Sequence, residues 1–157
     1  MFKKAKRIWL KGLSKEMNTQ ARFTAQISVP KGAQLFVTGA TFYKVYFDGE
    51  LIHHGPSPTA TGYARVDVVD LPRRGGVTTL SIEVAGYASN SYAAVNQPSY
   101  LIAEVVVGDE VAQCMVSVHA EPTFERLRYI LGGDRPSQTA HLTVSPHQIH
   151  GGRLETQ

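Results

Sequence analysis

The sequence predicts an all-β domain, an antiparallel β-sandwich or jelly roll. Short runs of residues alternate between apolar and polar, which is the period-2 pattern of a strand with one buried face. Tyr43, Val45 and Phe47, for example, share one face of the run 42–47. Asp48-Gly49 follows, and this pair predicts a tight hairpin because both turn residues need positive φ. Turn residues recur between further short runs, as expected for a sandwich.

The strands can be placed in order along the chain, each bounded by Gly, Pro, Asp or Ser residues. We predict strands at 22–29, 34–38, 42–47, 50–54, 63–69, 77–84, 99–107 and 111–118. Gly55-Pro56 ends the second hairpin strand, since proline cannot donate a hydrogen bond to a ladder. In the run 63–69, alternation places Ala64, Val66 and Val68 on one face and Asp67 on the outer one.

Composition indicates one globular domain, because 43% of the 157 residues are hydrophobic and 18% are charged. The net charge of +3 comes largely from lysines and Arg7 near the start. We interpret this basic run as a solvated lead-in to the first strand. No basic patch with interleaved aromatic residues follows it, so we expect no nucleic-acid partner. Cys114 has no second cysteine to pair with and is expected to be a small core residue.

The start of the chain does not resemble an export signal. Its apolar run Ile8-Trp9-Leu10 is interrupted by Lys11 and is too short for a signal peptide. No run approaches the ~18 apolar residues of a membrane span. We therefore expect a cytoplasmic protein with no membrane partner, and an extracellular or periplasmic one if an upstream signal precedes this sequence.

The hairpin and the strand after it also carry a family resemblance. The patterns are aromatic-x-Val-Tyr-x-Asp-Gly-x-x-Ile at 43–52, Gly55-Pro56, and Tyr-x-Arg-x-Asp-x-x-Asp-Leu at 63–71. In this order and spacing they resemble the N-terminal β-sandwich domain of bacterial α-L-rhamnosidases, glycoside hydrolase family 78. The resemblance implies a sandwich of the galactose-binding-like type. The resemblance continues through Gly76–Tyr87 and covers roughly residues 5–111.

The resemblance also sets the expected domain organisation. Residues 1–120 would form the β-sandwich domain. Residues 121–157 would form a tail that is poorly structured or not native to the family, since the resemblance ends near Gln113. Asp48 stands where the family more commonly has Asn, and either residue suits the turn. Thr78 also replaces a usual Asn, which leaves the turn before its strand less well defined.

The function that the resemblance implies is non-catalytic. Rhamnosidase catalysis uses carboxylates as general acid and base, and in the family these lie in a helical barrel that this chain is too short to contain. The chain would then be an accessory domain that packs on and positions the catalytic domain of a parent hydrolase, with rhamnose-containing glycans as further partners. Two alternatives stay open: a free-standing carbohydrate-binding module, and the N-terminal sandwich of a β-galactosidase-type enzyme, which has a similar hairpin.

The carboxylates within the resemblance have structural explanations. One makes the hairpin turn, one closes the turn before Pro72, and two point outward from strands; they are Asp48, Asp70, Asp67 and Glu83. Glu104 lies among apolar neighbours. If it faces inward it needs a partner, for which Arg65 is a candidate.

A sugar site suits this sequence better than a catalytic site, because loops of a sandwich can present flat rings and polar groups to a pyranose. The residues that suit this role flank two predicted loops: His53, His54, Tyr63, Tyr87, Asn90 and Tyr92. The alternative is that Tyr63 and Tyr87 anchor their loops onto the core beside Trp9. We expect no metal and no cofactor, because adjacent strand histidines face opposite ways and no set of oxygen ligands clusters.

Overall fold

The structure is a computed structural model that describes residues 2–60, 62–72, 75–90 and 94–114. Eight strands form within these residues: β1 Thr19–Ser28, β2 Ala33–Ala40, β3 Phe42–Phe47, β4 Glu50–Gly55, β5 Asp67–Asp70, β6 Val77–Gly86, β7 Tyr100–Val107 and β8 Glu110–Cys114. The expected tail at 121–157 and the end of the last predicted strand lie outside the described residues.

The strands form two four-stranded antiparallel sheets. The first sheet has the order β1-β6-β3-β4 and the second has the order β5-β2-β7-β8. The two sheets face each other across a shared apolar core, so the predicted β-sandwich is confirmed. Consecutive strands often lie in different sheets or are not neighbours, as in a jelly roll.

The core follows the alternation of the sequence. The buried face of β3 consists of Tyr43, Val45 and Phe47, as predicted, and their neighbours in β3 are only half-buried. Phe23 of β1 and Leu35 of β2 are also almost fully buried, from opposite sheets. Burial of side chains of this size contributes about 1.5–3 kcal/mol each, so interdigitation of the two faces holds the sheets together.

The hairpin at Asp48-Gly49 is confirmed. Both residues have positive φ, 50° and 81°, as the tight turn between β3 and β4 requires. The turn is also tied to the neighbouring strand β6, because Asp48 Oδ1 accepts a hydrogen bond from the Thr79 N–H at 3.0 Å. The sequence pattern therefore predicted both the positive φ angles of the turn and the pairing of β3 with β4.

The prediction for residues 63–69 was wrong in extent and in facing. Only Asp67–Asp70 form a strand, and Val37 and Leu35 of β2 lie opposite Asp67 and Val69. Because Val37 and Leu35 point into the core, Asp67 and Val69 do so too. Asp67 is buried, whereas the Val68 that was expected inside is 51% exposed. Tertiary pairing with β2 thus outweighed the local apolar pattern.

The start of the chain is part of the fold rather than a free lead-in. Ile8 forms a backbone bridge with Leu101 of β7, and Trp9 packs against Phe23 with ring centroids 5.8 Å apart. The charged side chains of this segment stay largely in solvent while its backbone docks on the second sheet. The basic run therefore has a structural role.

Glu104 is the residue on which this segment docks. Its side chain is buried, and its carboxylate accepts hydrogen bonds from three consecutive backbone N–H groups, those of Lys3 at 2.9 Å, Lys4 at 3.1 Å and Ala5 at 3.0 Å. The partner suggested from the sequence, Arg65, pairs with Asp67 instead. Burial opposes ionisation of Glu104, but the three N–H donors outweigh it and lower its pKa.

Candidate functional site

The two loops predicted to contact sugar leave the first sheet at the same end. Gly55, the last residue of β4, pairs with Tyr43 near the start of β3. Ala85, next to the last residue of β6, pairs with Phe42. The loop after β4 and the loop after β6 therefore both begin beside the start of β3. The fold therefore starts both loops at one end of the first sheet, and loops at one end of a sandwich are a common place for a binding surface.

A β-bulge in β4 lies directly before His53 and His54. Val45 pairs with His53 while Tyr46 pairs with Leu51, which leaves Ile52 as the extra residue. Ile52 packs on the core, and the His53 imidazole approaches Asp67 in the other sheet. His54 lies opposite Lys44 and is exposed. The two histidines thus face different partners, although their ring centroids are 6.2 Å apart.

A buried carboxylate, that of Asp67, joins the edges of the two sheets. The Tyr43 hydroxyl donates a hydrogen bond to Asp67 Oδ2 from the first sheet. Arg65 Nε donates to the other oxygen, Oδ1, at 3.1 Å. His53 Nε2 lies 3.2 Å from Oδ2 but is not aligned for a hydrogen bond. Each carboxylate oxygen therefore faces a donor that the fold supplies.

These contacts decide the charge state of the cluster. Burial opposes ionisation of Asp67, but the hydrogen bond from Tyr43 and the contacts with His53 and Arg65 outweigh it and lower its pKa. Burial, together with the neighbouring carboxylate, raises the pKa of the Tyr43 phenol. Asp67 is thus an ionised acceptor and Tyr43 a neutral donor, an arrangement suited to holding two sheets together rather than to exchanging protons at neutral pH.

Gly55 lies directly against this cluster, where a side chain would not fit. A Cβ at Gly55 would overlap the Asp67 carboxylate and lie 2.9 Å from the Tyr43 hydroxyl oxygen. The Gly-Pro pair of the hairpin pattern therefore does more than end a strand. Its glycine leaves the space into which the carboxylate of the opposite sheet fits.

The tyrosines of the two loops differ in exposure. Tyr63 is 79% exposed, so it does not anchor its loop onto the core. Tyr87 is half-buried and packs edge-on against Phe42, with ring centroids 5.8 Å apart. Trp9 packs on Phe23 and lies next to Gly86, the residue before Tyr87, since a Cβ at Gly86 would be 3.0 Å from the Trp9 ring. The Tyr63 side chain is thus accessible to a ligand, whereas the Tyr87 ring is in contact with Phe42 of β3.

Asn90 serves its own loop, because its side-chain oxygen accepts a hydrogen bond from the Asn96 N–H at 2.8 Å. Tyr92 lies outside the described residues. The structure therefore brings His53 near to His54 and places Asn90 in the loop that Tyr87 begins. Contact with a sugar stays a prediction for all six residues.

Sequence reasoning missed Tyr43, Arg65 and Asp67 as members of one cluster. The spacing Arg65-x-Asp67 was visible, since residues two apart share a face of an extended chain. The contact between Tyr43 and Asp67 joins two sheets, and no local pattern encodes it.

Among the described residues no group of three or more metal-ligating side chains converges. The same residues contain no helix with the length and hydropathy of a membrane span.

Comparison with known proteins shows that the fold of this chain is similar to parts of solved structures. No family model and no curated protein sequence matches the chain. The fold is similar to part of a GH78 family rhamnosidase of Bacillus sp. GL1, with a TM-score of 0.69 and 20% sequence identity. The match covers 75% of this chain and 13% of that one, so this chain spans a small part of the enzyme's length.

A second solved structure is that of Streptomyces avermitilis α-L-rhamnosidase complexed with L-rhamnose. Its TM-score is 0.47 and its identity 21%, over 64% of this chain and 10% of that one.

Proposed function

We propose that this chain is a non-catalytic accessory domain of an α-L-rhamnosidase-like glycoside hydrolase, which packs on and positions a catalytic domain encoded elsewhere in the parent protein. The observation that carries the proposal is the likeness to a segment making up 13% of a GH78 rhamnosidase. The family pattern at 43–52 and 63–71 supports it independently, because its residues build the hairpin and the buried cluster at Asp67.

Three carboxylates of the fold already accept hydrogen bonds from the protein itself, and this supports a non-catalytic role. Glycoside hydrolysis needs two carboxyl groups that reach the same glycosidic bond. Asp67 and Glu104 are buried and bound by donors of the protein itself. Glu83 accepts hydrogen bonds from Arg22 and from Tyr46. These three carboxylates serve the fold.

The direct test is an assay of the 157-residue chain with 4-nitrophenyl α-L-rhamnoside. We expect no release of nitrophenol above that of a buffer control. Release that survives further purification would overturn the proposal. Sequencing the DNA on both sides of the coding region tests the parent: we expect a hydrolase reading frame with a helical catalytic domain, and unrelated flanking genes would contradict it.

A carbohydrate-binding module is a second candidate function, and the exposure of Tyr63 favours it. An exposed aromatic ring on a loop is a common way to hold the apolar face of a sugar. Titration with L-rhamnose and with galactose separates the two roles. A domain that only packs should give no saturable heat in calorimetry, while a binding module should give a response that Tyr63→Ala removes.

A further inference from the structure

The outer face of the first sheet, which is the side of β1, β6, β3 and β4 away from the core, has an unusual arrangement of charge. Strand register places Arg22, Glu83, Lys44 and His54 in one row across the four strands. Arg22 is exposed, and Glu83 and Lys44 are half-buried. This row carries two permanent positive charges and one negative charge.

The negative charge in the row is already matched. Arg22 Nε donates to Glu83 Oε1 at 3.1 Å, and the Tyr46 hydroxyl donates to Glu83 Oε2 at 3.2 Å. Both carboxylate oxygens thus have donors. Lys44 lies opposite Glu83 but makes no ion pair within the described part of the chain. The excess positive charge of the face is therefore on the Lys44 ammonium.

Two aromatic rings flank this lysine. Phe42 and Tyr46 are two residues before and two after Lys44 on β3, so all three project from the same face of the strand. Residues two apart in a strand are separated by about 6.5 Å, so the two aromatic side chains leave β3 on either side of the lysine side chain. Both aromatic residues are half-buried, and each therefore keeps part of its side chain in solvent.

Fixed hydrogen bonds hold the surroundings of this face. Thr24 and Ser81 are joined through their hydroxyl oxygens at 3.1 Å, and Gln26 Nε2 donates to Thr79 Oγ1 at 2.9 Å. Side chains that are already held lose little conformational entropy when a ligand binds. The outer face of the second sheet differs in character, because Phe36 and the 51% exposed Val68 lie opposite each other there and form an apolar pair.

We propose that the outer face of the first sheet binds an acidic oligosaccharide, with a uronate carboxylate on Lys44 and sugar rings against Phe42 and Tyr46. A uronate carboxylate can form with Lys44 the ion pair that this lysine lacks within the row, and the apolar faces of pyranose rings can pack on Phe42 and Tyr46. Hydroxyl and amide groups along the face complement sugar hydroxyls. This site goes beyond the proposed accessory role and does not depend on it, since a domain that packs on a barrel can do so without this face.

The test is calorimetric titration of the 157-residue chain with a hexamer of galacturonic acid. The neutral maltohexaose serves as the comparison ligand. We expect saturable binding of the acidic hexamer and none of the neutral one. Raising the salt to about 0.5 M should weaken binding, because the ionic contact lies at the protein surface and is screened by salt. Lys44→Gln should raise the dissociation constant about tenfold, the usual effect of one charge-assisted contact.

The matched control is Lys31→Gln, which removes an exposed lysine in the turn between β1 and β2. It should leave the dissociation constant unchanged while altering net charge by the same amount. Tyr46→Ala should weaken binding with the far-ultraviolet circular dichroism spectrum preserved. No saturable binding, equal binding of the neutral hexamer, or equal effects of the two lysine variants would each overturn the proposal. None of these outcomes bears on the rhamnoside assay, so the two proposals fail separately.

Discussion

The phenol of Tyr43, on the first sheet, donates a hydrogen bond to the carboxylate of Asp67, on the second. Both groups are buried, and the contact is a polar link between the layers at the edge where β4 and β5 lie. A hydrogen bond to a charged group away from water is stronger than one on the surface. The link therefore ties β3 of the first sheet to the edge strand β5 of the second, in addition to the packing of the apolar core.

The first prediction follows from this link. Tyr43→Phe keeps the buried ring but removes the donor to Asp67, so the free energy of unfolding should fall by about 1–3 kcal/mol. Urea unfolding at pH 7 measures it. Tyr46→Phe is the matched control, because it removes a hydroxyl that contacts the partly exposed Glu83; we expect a change within about 0.5 kcal/mol. Equal losses in the two variants would show that the link between the sheets contributes nothing special.

The second prediction concerns Gly55. Gly55→Ala places a methyl group where the Asp67 carboxylate lies, so either the loop or the carboxylate must shift. We expect a loss of about 1–3 kcal/mol in the free energy of unfolding, the usual effect of overpacking. Gly75→Ala is the control, since its Cβ would meet nothing within 4 Å. Chemical unfolding that ranks the control as the less stable variant would contradict the cluster geometry.

The parts of the fold that could be predicted from sequence are those with a local cause. Asp48-Gly49 sets its hairpin because positive φ is a property of the two residues themselves. The burial of Asp67 could not be predicted in this way, since it depends on pairing with Val37 in a distant strand. The bulge at Ile52 likewise has no local signal, and it decides that His53 meets Asp67.

The same reasoning applies to Glu104 and to the candidate site. An inward glutamate predicts a partner but does not identify it, and backbone N–H groups at the start of the chain leave no trace in residue type. The two loops with His53 and Tyr87 are predicted to contact sugar because histidine, tyrosine and asparagine cluster there, and that prediction stays untested. Their position at one end of the sandwich depends on strand order, which the residues alone did not give.

The third prediction is a dependence of stability on pH. Glu104 has a pKa below its ordinary 4.5 and Asp67 one below its ordinary 3.8. As pH falls, the unfolded chain therefore binds protons before the folded one does. The stability that both carboxylates contribute is fully present above about pH 5 and is lost as pH falls through their folded pKa values. Urea midpoints should stay level from pH 7 to about pH 5 and decline from there to about pH 3.

Glu104→Gln isolates the contribution of the N-terminal contact. The amide keeps the size of the side chain but loses the charge, and its NH2 group cannot accept from the N–H groups of Lys3 to Ala5. We expect this variant to be less stable than the parent at pH 7 by about 1–3 kcal/mol, with a smaller difference at pH 3. A difference that stays constant with pH would mean that the ionised carboxylate is not what the segment binds.

The fourth prediction separates anchoring from ligand contact at the two loop tyrosines. Tyr63 is 79% exposed, so Tyr63→Ala should change the free energy of unfolding by less than about 0.5 kcal/mol. Tyr87→Ala removes a half-buried ring from Phe42, and we expect a loss of about 1–2 kcal/mol from the lost burial and ring contact. Thermal and urea unfolding of both variants provide the comparison. Because Tyr63→Ala is expected to leave the fold intact, any sugar response that it abolishes can be assigned to the ring itself. A large loss of stability in that variant would instead mean that Tyr63 holds its loop in place.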